Sequence, residues 1–468
     1  MRPATTSARR RFAAVMAVVA VVLTVGACTS ADRPASASSS NPAAGSGRPE
    51  ASASSESAGA PVPPGGASGD QTSEVRGAVT ALLAKRAAAL AAKDKTAWLA
   101  SLADTGSPFA AAQASLFDRL VALPVAGLTA RQLTLTPTTP PGSASSTSTL
   151  SSPAAGPAGT YLAAVTLAYR FAGYDQGDRS FAVSYIVSPA SSGWRLSGPG
   201  PGRTDPQPFD LVGATSVSSP ATLVIGDVAP ATLEAYRAFG DAAQGPIEAA
   251  WGQARPSVIV APGTTAELEA QLGRGSYAGI AQVAAITDGP VHTGEPAQSD
   301  RVYLNPGVMA TLSADGRKVV VTHELTHVTI RGSTTRPVPI WLSEGYADAV
   351  AYSGTGLAPK TVAADLLQLV RDGKGPTALP TSSDFDPSRG PIDPTYNAAW
   401  LAVLLIHDRF GQEKLTDVYR AVSGGPTADA TVTGSADDLT RQAFQTVLGV
   451  SQDEFVTDWK VYLKQLAG

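Results

Sequence analysis

The spacing of apolar residues divides the chain into a helical start, a strand-rich middle and a helical end. Apolar side chains recur at helical intervals over Glu74–Leu102 and again over Phe109–Ala122. The runs YLAAVTLAYRFA and RSFAVSYIVSPASSGWRLSG instead alternate apolar and polar residues and carry aromatic rings, which is typical of strands in a half-buried antiparallel sheet. Helices followed by strands predict a small α+β domain over residues 74–205.

A Pro- and Gly-rich segment, GPGPGRTDPQP, separates this domain from residues 206–468. Beyond it the pattern predicts strands at TLVIGD, SVIVAP, AGIAQVAAI and RVYLNP, with a helix over Pro230–Trp251 between the first two. From Ala358 onward the periodicity is helical. The predicted fold class is therefore α+β throughout, with a small domain followed by a larger one that has a mixed sheet and a helical C-terminal part.

The N-terminus predicts a targeting segment over residues 1–28. Three arginines, Arg9 to Arg11, precede an apolar run from Phe12 to about Val25, which is short for a membrane span. The run ends in VGAC, which resembles the lipobox of bacterial lipoproteins and implies lipidation of Cys28. An ordinary secretory signal with a chance cysteine is the alternative. Cys28 is the single cysteine of the chain, so intrachain disulfides are excluded.

Residues 29–73 consist almost entirely of Ser, Ala, Gly and Pro, so they predict a disordered tether between the membrane and the folded part. The predicted location is the extracytoplasmic face of the cell membrane, with a lipid anchor. The formal net charge is -4, which does not favour a nucleic-acid-binding protein.

The most informative stretch is HELTH. Two of the four histidines of the chain, His323 and His327, lie four residues apart in a segment predicted to be helical from near Asp315 to near Gly332. On a helix, positions i and i+4 lie above one another, so both imidazoles can reach one tetrahedral zinc ion. Glu324 follows the first histidine and can direct its carboxylate at a water molecule beside the metal.

A third metal ligand is predicted in WLSEGYAD. Glu344 lies 17 positions after His327, on a second predicted helix that starts after the turn RPVP. Asp348 lies four residues further on and so shares a helix face with Glu344. It is placed to accept a hydrogen bond from a ligand imidazole, for which His323 is the candidate.

H-E-x-x-H followed by W-L-x-E-G-x-A-D resembles the gluzincin metallopeptidases, in particular the peptidase-MA-like group related to thermolysin and aminopeptidase N. The resemblance implies one Zn²⁺ held by His323, His327 and Glu344, with Glu324 as general base and Asp348 as an orienting carboxylate. Its specific part is His323–Asp348, and a looser similarity covers residues from Thr222 to the C-terminus.

Other features of the resemblance are less complete. No G-A-M-E-N-like exopeptidase motif is present in the sequence. Tyr396 is the candidate for the group that stabilises the oxyanion, and a tyrosine packed in the core is the alternative. AGIAQVAAI (Ala278–Ile286) is the candidate edge strand for substrate backbone. Of the other histidines, His407 is expected to be structural and His292 exposed.

The order of elements in the N-terminal domain resembles the cystatin-like cone of nuclear-transport-factor-like domains, and some other small α+β domain explains it as well.

These features predict a membrane-tethered zinc peptidase that hydrolyses a peptide or protein substrate. The alternative is a catalytically silent lipoprotein that keeps the peptidase fold as a binding or scaffold module. A purely structural zinc site fits less well, because such sites are usually closed by four Cys or His ligands.

Overall fold

The structure, a computed structural model, describes residues 67–138, 159–201, 205–273, 283–290, 294–425 and 433–468. The predicted signal segment, with Cys28, and most of the predicted tether lie outside these residues. Among the residues described, no helix combines the length and apolar character needed to cross a membrane. The α+β class predicted from the sequence is confirmed.

The N-terminal part packs three helices against an antiparallel sheet with the strand order β1-β2-β3-β4. Its apolar core is formed by the inner faces of these elements. Their bounds are α1 (Ala67–Ala91), α2 (Lys95–Leu99), α3 (Pro108–Ala122), β1 (Val125–Pro137), β2 (Tyr161–Phe171), β3 (Arg179–Ala190) and β4 (Gly193–Pro199).

Three details of this part differ from the sequence prediction. Helix α1 begins at Ala67, inside the segment expected to be a disordered tether, because helix propagation gains one hydrogen bond for each residue that it fixes. Strand β1 was not predicted, because only one of its residues is buried and its side chains show no clear alternation. The run RSFAVSYIVSPASSGWRLSG forms two strands, β3 and β4, joined by a turn at Ala190–Gly193.

A second sheet carries the strand order β5-β6-β7-β9-β8. The pairs β6–β7 and β7–β9 are parallel, and the pairs β5–β6 and β8–β9 are antiparallel. Strand β8 is therefore an edge strand, as predicted for this region, although residues 278–282 of the predicted run lie outside the described residues. The bounds are β5 (Thr215–Ser218), β6 (Thr222–Gly226), β7 (Ser257–Ala261), β8 (Ala285–Asp288) and β9 (Arg301–Leu304).

The second sheet is covered on both faces. Alternate residues of a strand point to opposite sides, so β6 sends Val224 into the core of the helical part and Leu223 and Ile225 into the core of the N-terminal part. Strand β7 divides its side chains in the same way, with Ile259 on one side and Val258 on the other. The two cores thus share one sheet as their common wall.

Most of the remaining helices pack on the face of the sheet away from the N-terminal part, but the short helix Thr265–Gln271 packs on the other face, where Leu268 contacts Val260 and Tyr303. Helix α11 has a kink at Gly411, whose φ of 85° is left-handed and suits glycine. The bounds are α4 (Pro230–Trp251), α5 (Thr265–Gln271), α6 (Pro306–Met309), α7 (Ala314–Arg331), α8 (Ile340–Tyr352), α9 (Pro359–Val362), α10 (Ala364–Arg371), α11 (Asp393–Ser423), α12 (Ala436–Ala443) and α13 (Gln452–Ala467), with a π-helical turn at Phe444–Leu448.

Candidate metal centre

Helix α7 carries HELTH and has strong end signals. The Ser313 side chain accepts a hydrogen bond from the backbone N–H of Gly316, and Asp315 lies in the first turn, where a negative charge favours the helix N-terminus. The helix ends with Arg331 in its last turn. Every residue from position 319 to position 330 is buried. The helix bounds lie within one residue of those predicted, and its interior includes His323, Glu324 and His327.

Helix α8 brings WLSEGYAD against α7. It also lies close to α11, and Gly345 is what permits this: a Cβ at that position would come within 2.5 Å of the backbone oxygen of Ala399. A larger residue there would force the two helices apart. Glu344 and Asp348 project from α8 into the space beside α7, and both side chains are buried.

The three predicted metal ligands lie together in the structure. The Nε2 atoms of His323 and His327 are 3.0 Å apart. Oε2 of Glu344 lies 3.2 Å from Nε2 of His323 and 3.5 Å from Nε2 of His327. The other ring nitrogen of His323, Nδ1, lies 2.7 Å from Oδ1 of Asp348, within hydrogen-bond distance. This is the contact expected from the helix spacing.

The distances fit a zinc ion. Donors at about 2.0–2.1 Å from a tetrahedral centre lie roughly 3.3–3.4 Å from one another, close to the three distances observed. Without a metal ion the two facing ring nitrogens can be joined only through a shared proton. Oε1 of Glu344 is buried and has no hydrogen-bond partner among the described residues. Two imidazoles and one carboxylate are also a common catalytic zinc set.

The cluster shifts the titration of its own members. Burial opposes the charge on His323, but Asp348 and Glu344 outweigh it and hold the pKa of His323 well above its usual value. Burial and the charge of His323 lower the pKa of His327. Burial alone would raise the pKa of Glu344, yet the two imidazoles bring it down to about 2. In the metal-free cluster the proton therefore resides on His323.

Glu324 adjoins this cluster and contacts the edge of the sheet. The Thr287 hydroxyl, on β8, donates a hydrogen bond to Oε2 of Glu324 at 2.5 Å. Oε1 is buried and has no partner among the described residues. Burial raises the pKa of Glu324 to about 7, so the carboxyl group can both take and release a proton near neutral pH.

Two further residues complete the surroundings of His327. Oγ of Ser343 lies 3.5 Å from Nδ1 of His327, at the limit of a hydrogen bond. Tyr419 is buried beside Ser343 and Glu344, and burial raises the pKa of its phenol. Sequence reasoning missed Thr287, Ser343 and Tyr419, and no motif indicates Thr287 or Tyr419. Ser343 alone had a signal, because it precedes Glu344 on a helix that had been identified.

The other candidates are more dispersed. Tyr396 is buried near the start of α11, with its ring edge-on to Phe385 at 5.0 Å, and its role at the oxyanion stays a prediction. His407 lies on the outer face of α11, where its side chain is 46% exposed and pairs with Asp408, and its structural role stays a prediction. His292 lies outside the described residues.

Profiles of known protein families and a search of curated proteins gave no match to the chain.

Proposed function

We propose that this protein is a zinc-dependent peptidase of the gluzincin type. The observation that carries the proposal is the buried group of His323, His327 and Glu344, whose ligand atoms lie within 4.8 Å of one another. Glu324 adjoins this group in sequence, and Asp348 is hydrogen-bonded to one of its imidazoles. The residues supply three ligands for one Zn²⁺ and leave a fourth position for water or substrate.

When bound there, zinc would supply a Lewis acid that polarises a carbonyl and makes water a better nucleophile. The residues of the chain do the rest. Glu324 takes the proton from the attacking water and delivers it to the leaving amine, and its pKa of about 7 suits both steps. Thr287 fixes one carboxylate oxygen, so that the other is free to face the water. Asp348 fixes the ring orientation and tautomer of His323.

Strand β8 is our candidate for the substrate-binding edge. It pairs with β9 on one side, and it carries Thr287, which contacts Glu324. A peptide that adds to this edge as a further strand would run past the proposed general base. Main-chain pairing of this kind would accept many sequences, so we expect a peptide or protein substrate with side-chain preferences set by the neighbouring loops.

The first test is the metal content of the purified protein, measured by elemental analysis. We expect about one zinc per chain in the wild type and a clear loss in Glu344→Ala, because a three-ligand site that loses its carboxylate binds metal far more weakly. Glu413→Ala is the matched control, since Glu413 is exposed on α11. Wild-type protein that takes up no zinc even after reconstitution would contradict the proposal.

A silent binding module remains the second candidate, and the complete burial of Glu324 favours it, because a general base must meet water and substrate. Hydrolysis separates the two candidates. A metal-loaded wild type that degrades unfolded protein substrates, beside an inactive Glu324→Gln, supports the peptidase. Metal-loaded protein that binds peptides without cleaving them supports the module.

We further propose that the protein is held at the extracytoplasmic face of the cell membrane by a lipid on Cys28. The support is the sequence VGAC after an apolar run, together with the position of the chain's single cysteine. Labelled palmitate should enter the wild type and be absent from Cys28→Ser. Labelling of the variant to the same degree would exclude this anchor.

A further inference from the structure

The N-terminal part contains a cavity that is separate from the metal centre. It lies between the helices and the curved sheet and has a volume of about 210 Å³. Most of its wall is apolar, with leucine side chains and the rings of Phe109, Phe181 and Phe209. Five polar side chains interrupt this wall: Arg86, Gln113, Ser184, Tyr185 and Asp210. A cavity of this composition suits a small ligand with an apolar body and a few polar anchor points.

Arg86 is the principal polar feature of the cavity. It is 4% exposed, and its guanidinium carbon lies 3.4 Å from the centre of the Trp98 ring. Its protein partners are all neutral: the Trp98 carbonyl, the Ser101 hydroxyl and the Gln113 side-chain oxygen. These use three of its five N–H donors. Among the described residues, no carboxylate pairs with it.

A buried cation without a counter-ion is unfavourable. Burial lowers the pKa of Arg86 to about 10, which still leaves the guanidinium charged at neutral pH. Buried Arg301 shows the usual solution, because both of its terminal nitrogens meet Asp175. Arg86 has neutral acceptors and an open space in the place where Arg301 has a carboxylate.

Of the other polar groups, Tyr185 suits an anion beside Arg86, and the carboxylate of Asp210 does not. Tyr185 is 7% exposed, and no described residue hydrogen-bonds to its hydroxyl, so this donor is available to a ligand next to Arg86. Asp210 lies within electrostatic reach of Tyr185, but its carboxylate accepts a hydrogen bond from the backbone N–H of Gln207 and its charge is offset by that of Arg119.

We propose that this cavity binds a small carboxylic acid with an apolar body, with its carboxylate between Arg86 and Tyr185. The guanidinium donates two N–H bonds, the Tyr185 hydroxyl donates a third, and the apolar body lies against the leucines and the phenylalanine rings. Charge-assisted bonds of this kind are about twice as strong as neutral ones and select for a carboxylate. A cavity of about 150 Å³ accommodates benzene, so this one holds an acid the size of phenylacetate or octanoate.

The test is calorimetric titration of the intact protein with octanoate and phenylacetate, beside the matched alcohols octanol and phenylethanol. We expect one acid per chain, with the alcohols at least about tenfold weaker because they lack the charge that Arg86 needs. EDTA should leave the affinity unchanged. If the acid instead bound to a metal ion at the candidate metal centre, EDTA would remove that ion and abolish acid binding. Trp98 lines the cavity, so its fluorescence gives a second readout.

Three variants locate the site. Tyr185→Phe should weaken both acids about five- to tenfold while keeping the ring that packs in the core. Arg86→Gln should make acid and alcohol bind equally. Arg195→Gln is the control and should bind like the wild type, because Arg195 lies on β4 outside the cavity and bonds to Ser192.

The proposal fails if neither acid binds at millimolar concentration, or if the alcohols bind as tightly as the acids. It also fails if Tyr185→Phe keeps wild-type affinity. The last criterion holds even if Arg86→Gln does not fold, because Tyr185→Phe removes only a hydroxyl that has no partner among the described residues.

Discussion

The two parts of the molecule bury charge in opposite ways. Around helix α7, buried charges occur in compensated groups: His323 lies between Asp348 and Glu344, and Arg331 pairs with Asp300. In the N-terminal cavity, Arg86 has only neutral partners. A compensated group holds a geometry without outside help, as a metal centre requires. A single buried cation beside an open cavity is incomplete, and a ligand from outside can complete it.

The largest expected effect concerns the proposed general base. Glu324→Gln should lower hydrolysis by about 10²–10⁴-fold, because the amide cannot take a proton from water, while zinc content stays at the wild-type level. Activity against an unfolded protein substrate and elemental analysis give the two readouts. Glu413→Gln, an exposed change, should alter neither. Retained hydrolysis would remove Glu324 from the mechanism.

The next effect tests the contrast between paired and unpaired arginines. Asp175→Asn should reduce the free energy of unfolding by about 3–5 kcal/mol, because it leaves Arg301 buried without its carboxylate. Asp178→Asn, three residues away, breaks more exposed ion pairs with Arg131 and Arg170 and should cost about 1 kcal/mol or less. Urea denaturation measures both. Equal losses would mean that burial does not distinguish the two aspartates.

A smaller effect on zinc affinity is expected at Asp348, which contacts the proposed ligand His323. Asp348→Asn keeps a hydrogen-bond acceptor for His323 but removes the negative charge, so zinc affinity should fall about 10- to 100-fold. Competition with a chelator of known affinity measures the change, and Asp372→Asn, on the surface, serves as the control. An unchanged affinity would make Asp348 a packing residue.

Thr287→Val tests the contact from the edge strand. It removes one hydrogen bond to the Glu324 carboxylate at nearly constant volume, so the turnover rate should fall about tenfold while zinc content stays constant. Thr311→Val, at an exposed hydroxyl outside the site, should leave turnover unchanged. If Thr287→Val turns over at the wild-type rate, the strand does not position the base.

The last prediction concerns how the apparent zinc affinity depends on pH. His323 has a raised pKa in the metal-free cluster, so below that pKa a proton must leave before zinc can bind. Apparent zinc affinity should therefore rise with pH, by about tenfold per unit for one released proton, and level off above the pKa of His323. A chelator competition series over pH gives the slope. A flat profile would show that the cluster holds no displaceable proton.

The sequence predicted which side chains lie together at the candidate site, because that information is local. His323 and His327 are one helical turn apart, as are Glu344 and Asp348, so a correct helix assignment fixes which side chains share a face. The remaining contacts depend on packing between distant segments. Thr287 meets Glu324 across 37 residues, through the register of an edge strand. Arg86 meets Gln113 across 27 residues, at a place where no motif exists.

The fold shows the same contrast between elements fixed by local sequence and elements fixed by distant segments. Helices with clear end signals were predicted within a residue or so at each end, such as α4, which starts at Pro230 and is followed by Gly252, and α7, which is capped by Ser313. Strands β1 and β5 were missed, because edge strands with exposed side chains lack the alternation that identifies a strand. Their place is decided by the neighbouring strand, through hydrogen bonds that leave no mark on side-chain composition.

The shared sheet has a practical consequence for anyone who shortens the chain. A fragment that starts after the Pro- and Gly-rich segment would keep all the predicted ligands but would present Leu223, Ile225 and Val258 to water, since these side chains lie in the N-terminal core. Such a bare apolar surface favours self-association. Arg301 would lose Asp175 at the same time. An inactive or insoluble fragment of this kind would report the loss of the N-terminal part that covers the sheet rather than the loss of a regulator.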